Sequence, residues 1–215
     1  MEDVIAYWKP RLLKLAAAYD EADGAHDLNH LHRVWSNAKK LLSAHAEADR
    51  LVVLAATYLH DIVNLPKTHP ERHLASSQAA QIACQRLAAL DFPNEKLAGV
   101  RHAIEAHSFS ANVTPQTIEA QIVQDADRLD ALGFVGMARL FYTAGRMGSK
   151  LAHATDPLAR ERIPDDKAYA LDHIEVKLVR IAGTMQTQEG RKLCEARLER
   201  LRAFRSAFLA EWVEE

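Results

Sequence analysis

Residues 51–59 read LVVLAATYL, apolar on every helical face, and His60-Asp61 follow at once. The surrounding pattern, about Ala48 to Ile62, has helical rather than alternating spacing, which predicts a central helix buried on all sides. A His-Asp pair at the end of such a helix is expensive to bury without a metal or another partner to compensate.

The rest of the chain reads the same way. Thirty-seven alanines against eight glycines and seven prolines in 215 residues predict a nearly all-helical protein. Strand signals are absent. Apolar periodicity predicts helices over about Asp3–Asp20, Asn29–Ala46, Glu71–Leu90 and Glu95–His107. Thr114-Pro115 reads as a helix start, because threonine caps and proline at the first helical position forfeits no needed donor. That helix is expected to reach about Gln124, with a small break before another over Asp125–Arg146. Residues 147–165 read as an irregular excursion, followed by closing helices at about Asp166–Gln186 and Glu189–Glu211. With no linker, repeat or low-complexity tract, the expectation is one compact all-α domain over 1–215, of about 8–10 helices.

Charge and cysteine usage exclude several classes. A net charge of −2 provides no basic field for nucleic acid. The longest apolar stretch is far short of the ~20 residues that span a bilayer. The start, MEDVIAYWKPRLL, has no basic region before an apolar core, so no secretory signal is expected. Cys84 and Cys194 lie far apart and predict reduced, packed thiols in a cytoplasmic protein.

Nine of the eleven histidines lie at or before His107. Four places combine histidines and carboxylates on the predicted helices. His26, His30 and Arg33 recur at i, i+4, i+7 and share a face if helical. His60-Asp61 end the buried helix. Asp125, Asp127 and Asp130 cluster in DADRLD, where Asp127 and Asp130 share a face and Asp125 points away. His102 and His107 stand roughly 140° apart on an ideal helix and converge only if it ends between them. Taken singly, each is explained by a hydrogen-bonded core histidine or a capping aspartate. Together, imidazoles and carboxylates form the donor set for a divalent cation that keeps open water positions, namely Mn²⁺, Fe²⁺, Ni²⁺, Mg²⁺ or Zn²⁺. A structural zinc would call for clustered cysteines. Ala144–Lys150 lacks phosphate-loop spacing, and neither GxSxG nor HExxH is present.

In order along the chain, His30, His60-Asp61 and Asp127 within DADRLDALG resemble the H…HD…D signature of the HD-domain metal-dependent phosphohydrolases. The likeness extends to HDxxHxxRV at His26–Val34, HxxS at His73–Ser76 and HSF at His107. It also includes HxxxK at His173–Lys177 and MQTQEGRKLCEAR near the end, so it covers most of the chain and a small bacterial branch in particular. It implies an HD-type helical domain, with the metal-binding core at about 22–145 and closing helices at about 166–213. It further implies one divalent ion held by His30, His60, Asp61 and Asp127. Asp61 and His107 are then expected to be catalytic, with His107 facing substrate phosphate, although extra histidines bind a second metal in binuclear relatives. His26, Arg33, Lys67 and Lys177 are expected to contact substrate, and Asp130 to orient a ligand or substrate. Related enzymes often carry Asp or Glu three residues after the HD aspartate. This chain has Asn64, whose amide positions water but accepts no proton.

The implied activity is hydrolysis of a nucleotide or related small phosphate ester, with release of phosphate or pyrophosphate. The rivals are a di-iron oxygenase and a non-catalytic nucleotide-sensing module. No nucleic-acid or membrane partner is expected, and the chain is read as a monomer or homodimer.

Overall fold

A computed structural model describes residues 2–19, 27–65 and 69–212. Among them lie nine α-helices: α1 (Glu2–Ala17), α2 (Leu28–Leu42), α3 (Arg50–Leu59), α4 (Ala75–Ala88), α5 (Leu97–His107), α6 (Ile118–Asp130), α7 (Gly133–Arg146), α8 (Val179–Ala182) and α9 (Gln188–Trp212). No strand occurs among the described residues; Lys150 and Tyr169 form an isolated parallel bridge. The fold class is all-α, as expected. The chain divides into two compact units, 1–127 and 128–215, with the division falling inside α6.

The first unit is organised around α3. Every residue from Leu51 to Leu59 is buried, and α3 packs against α1, α2, α4 and α5. Its start is built by one residue. Asp49 accepts hydrogen bonds from the Leu51 and Val52 amides at 2.9 and 3.2 Å through one carboxylate oxygen. Its other oxygen accepts from Lys96, and its own N–H donates to Glu119 Oε1 at 2.8 Å. Lys96 immediately precedes α5 and Glu119 lies in the first turn of α6. The amino-terminal ends of three helices therefore meet at Asp49, and each carries its candidate donor at or near its other end.

The second unit packs α7 against α9 and α8 against α9. Phe141 of α7 lies on Phe204 and Phe208 of α9, with ring centroids 5.8 and 6.1 Å apart. Before α8, the buried Asp172 receives both guanidinium nitrogens of Arg162, at 2.6 and 2.7 Å, and the Asp165 amide at 2.7 Å.

Several expected boundaries shift for identifiable reasons. The helix expected from Thr114-Pro115 starts at Ile118, because the Gln116 N–H is taken by His102 Nε2 at 2.9 Å and the chain turns before it coils. Thr117 supplies the cap instead, accepting from Ala120 N at 3.2 Å. No break precedes Asp125, since Val123, Ala126 and Leu129 continue one buried stripe through it. The break falls after Asp130. Gly133 takes φ +72°, and a Cβ on Gly136 would stand 2.2 Å from the Ala131 carbonyl oxygen, so two glycines permit that turn.

Helix four begins as a 3₁₀ turn, Arg72–Leu74, before α4, and another at Asn94–Lys96 precedes α5. The closing helix expected from Asp166 starts later, as a π-helical turn at Ile174–Leu178 running into α8. Asp165 holds the Lys167 and Ala168 amides at 3.0 and 3.1 Å, which commits that stretch to a turn. Both cysteines are free, Cys194 buried and Cys84 half-buried. No helix among the described residues is long and apolar enough to cross a membrane.

Candidate metal centre

His30, His60, Asp61, His107 and Asp127 converge within the first unit. His30 is carried in the first turn of α2, which Asp27 caps by accepting the His30 N–H at 2.9 Å. His60 follows the last residue of α3, with Asp61 next, and His107 is the last residue of α5. Asp127 is in the last turn of α6. The negative ends of α3 and α5 thus point their donors toward one place, where a cation is favoured.

The separations are those of a donor cage. His30 Nε2 lies 3.3 Å from His60 Nε2, 3.6 Å from Asp61 Oδ2 and 3.5 Å from Asp127 Oδ1. His60 Nε2 lies 3.5 Å from Asp61 Oδ2 and 3.7 Å from Asp127 Oδ1. His107 Nε2 lies 3.6 Å from Asp61 Oδ1. The sets His30–His60–Asp61 and His60–His107–Asp127 each bring their donor atoms within 4.8 Å of one another. Two donors about 2.1 Å from a shared ion stand about 3.0–3.4 Å apart in octahedral or tetrahedral geometry. The observed spacings lie at or slightly beyond that.

Backbone carbonyls decide which way the rings face. His60 Nδ1 meets the Thr57 carbonyl at 2.8 Å, and His107 Nδ1 meets the Ile104 carbonyl at 2.6 Å. A carbonyl only accepts, so each Nδ1 carries a proton, and in the neutral ring the inward-facing Nε2 is then the lone-pair nitrogen. Neutral imidazoles facing two carboxylates in a largely enclosed space are a donor set for a divalent cation. The residues present fit such an ion.

The titration behaviour agrees with a crowded donor set. Burial pushes the Asp61 carboxyl up, but the surrounding His60, His107 and His30 imidazoles outweigh it and hold Asp61 well below the usual carboxylate range. Burial lowers His60, whereas for His107 the contact with Asp61 overcomes burial and raises it.

The other sequence candidates divide by location. His102, the alternative to His107, faces away and accepts from Gln116 N. Arg33 is half-buried on α2, with its charge near Asp27. Asn64 is half-buried, three residues past Asp61. Asp125 is fully buried on α6. In the second unit, Asp130 is buried and accepts from Arg139 at 2.9 Å, and Lys177 lies on the π-helical turn. His26 and Lys67 lie outside the described residues.

Sequence reasoning did not find the neutral side chains that hold the donor helices. Asn37 Nδ2 donates to the Ala126 carbonyl at 3.0 Å, and Gln124 Nε2 to the Ala106 carbonyl at 2.6 Å. Each acceptor immediately precedes a donor residue, Asp127 and His107. A small open cleft adjoins Asp61, walled by Tyr19, Leu28, Leu31, Tyr58 and Ile62, with Asp27 also on its lining.

Comparison with known proteins points to the same part of the chain. The HD domain family model matches residues 27–132, a span that contains all five candidate donors. Protein YpgQ of Bacillus subtilis, described as uncharacterized, is 32% identical over 182 residues, covering 83% of this chain and 80% of its own. The crystal structure of YpgQ in complex with ADP superposes with a TM-score of 0.72 at 27% identity, over 96% of this chain and 95% of that one. An HD-superfamily hydrolase from Bacillus thuringiensis gives a TM-score of 0.73 at 27% identity, over 96% and 97%. With its donors in that order on those helices, this chain belongs to the HD-domain superfamily.

Proposed function

We propose that the chain is a metal-dependent phosphohydrolase acting on a nucleotide or a related small phosphate ester. The observation that carries this reading is the convergence of three buried imidazoles and two half-buried carboxylates at helix ends, three of those helices being tied together at Asp49. The similar hydrolase from Bacillus thuringiensis supports the reaction class, and the ADP complex of YpgQ supports a nucleotide as ligand.

In this reading His30, His60, Asp61 and Asp127 hold one divalent ion, Mn²⁺, Fe²⁺, Ni²⁺, Mg²⁺ or Zn²⁺. His107 is a fifth donor rather than a contact to phosphate, because its Nε2 faces Asp61 inside the same cluster. His60 belongs to both three-residue sets and its inward nitrogen has a single lone pair, which favours one ion. Such a cation lowers the pKa of a bound water and offsets charge on phosphoryl oxygens.

The chain's own groups do the rest. The Asp61 and Asp127 carboxylates would balance the cation's charge, while the two Nδ1–carbonyl bonds keep the imidazoles from turning. Asn64 orients water through its amide without taking the proton. Arg33 and Lys67 meet substrate phosphate, with His26 as a further contact. Asp130 is kept out of that set because Arg139 already engages its carboxylate.

The test is to deplete the protein of metal and reload it with each candidate ion. It is then incubated with nucleoside mono-, di- and triphosphates, and products are resolved by ³¹P NMR. Metal-dependent release of phosphate or pyrophosphate, abolished by H60A/D61A, is expected. No hydrolysis under any pairing of ion and nucleotide overturns the proposal.

A further inference from the structure

The end of α5 is held by side chains at three consecutive carbonyls. Ile104 O accepts from His107 Nδ1 at 2.6 Å, Glu105 O from Ser76 Oγ at 3.2 Å, and Ala106 O from Gln124 Nε2 at 2.6 Å. The last four carbonyls of an α-helix have no amide partner within it and usually turn to water or a capping turn. Here the chain leaves in extended conformation at Ser108, φ −71° and ψ 128°, and three of those carbonyls accept from side chains instead. Ser76 stands in the first turn of α4 and Gln124 within α6; they are 3% and 2% exposed.

We propose that Ser76 and Gln124 are positioning residues that set the direction of His107 Nε2 toward the metal, an inference that rests on His107 being a donor. The His107 ring is tethered to Ile104 O on the very turn that Ser76 and Gln124 clamp. If that turn loosens, the tether moves and Nε2 with it. Gln124 also lies one helical turn before Asp127. Its bond to Ala106 O therefore ties the residue beside one donor to the helix bearing another, and fixes the span between them. Groups that orient a ligand without touching the ion typically change metal affinity 10–100-fold when removed.

The test titrates metal-free protein with Mn²⁺, reading free ion by EPR. Wild type is compared with Gln124→Met, Ser76→Ala, His107→Ala and the double variants Gln124→Met/His107→Ala and Ser76→Ala/His107→Ala. A positioning role predicts Mn²⁺ binding roughly 10–100-fold weaker in Gln124→Met. It also predicts little further loss when that change is made on top of His107→Ala, because the residue it acts through is gone. Equal losses in both backgrounds overturn the proposal, since a merely structural role produces them. So does a Gln124→Met affinity within twofold of wild type, or a His107→Ala affinity equal to wild type. The Ser76→Ala pair carries the same comparison if Gln124→Met does not fold. Failure of wild type itself to bind Mn²⁺ overturns the metal reading as well, and is seen before any variant is made.

Discussion

His60 and His107 meet edge to face, their ring centroids 4.7 Å apart and their planes at 76°. They come from different helices, yet each donates Nδ1–H to the carbonyl three residues back and turns Nε2 inward. The same local solution at two helix ends aims two Nε2 atoms into one space. The direct consequence is that His60→Ala removes a donor shared by both three-residue sets. Its affinity for Mn²⁺ is expected to fall on the order of 100-fold or more, beyond the usual cost of losing an outer partner. Isothermal titration checks this, with circular dichroism showing that the helices persist.

Asp49 is the counterpart at the far end of the donor helices. Asp49→Ala strips two amide caps from α3 and the partner of Lys96. Cap loss of this kind costs about 1–2 kcal/mol. Calorimetry should show Tm lower by about 2–8 °C for a chain of this size.

That contribution has a definite pH dependence. Burial pushes the Asp49 carboxyl up, but Lys96 and the Val52 and Leu51 amides outweigh it, leaving it below the ordinary value of 3.8. A carboxyl depressed by folding contributes in full above its unfolded value, and the contribution fades as pH falls through the folded one. Urea unfolding should therefore show a constant gap between wild type and Asp49→Ala from neutral pH to about 5, narrowing below about 4. A gap that widens under acid would contradict this origin.

Which parts of this arrangement are legible in sequence follows from how local each signal is. The apolar run before His60 announces a buried helix, whereas the break that Gly133 and Gly136 permit after Asp130 is hidden by helical spacing that runs on from Asp125 to Arg146. Thr114-Pro115 misleads because a good helix start is only a local preference, and His102, distant in sequence, holds the Gln116 amide elsewhere. DADR looks like a terminus, yet Ala126 and Leu129 carry the core stripe straight through it. Asp127 and Asp125 have similar sequence surroundings, and only the completed helix turns one toward His30 and His60. Asn37, Gln124 and Ser76 leave no pattern at all, since a neutral side chain reaching a carbonyl on another helix can sit at any inward position.

In the second unit, the Arg162–Asp172 pair offers a prediction independent of any ligand. Asp172 is 4% exposed and receives both guanidinium nitrogens. Arg162→Met leaves that carboxylate buried without its charge partner, a loss of about 3 kcal/mol. Arg162→Met combined with Asp172→Leu should recover much of it, because an apolar pair of similar volume needs no solvation. Denaturant unfolding of the three proteins decides the matter, and equal losses for the single and double variants would contradict it.

The most direct test of the central claim is to add Mn²⁺ stepwise to metal-depleted protein while following nucleotide hydrolysis by ³¹P NMR. The five-donor centre predicts no turnover without metal and activity that saturates at one equivalent. It also predicts none at any Mn²⁺ level in folded H60A/D61A protein. Hydrolysis of the same nucleotide by metal-free H60A/D61A at the wild-type rate would contradict it.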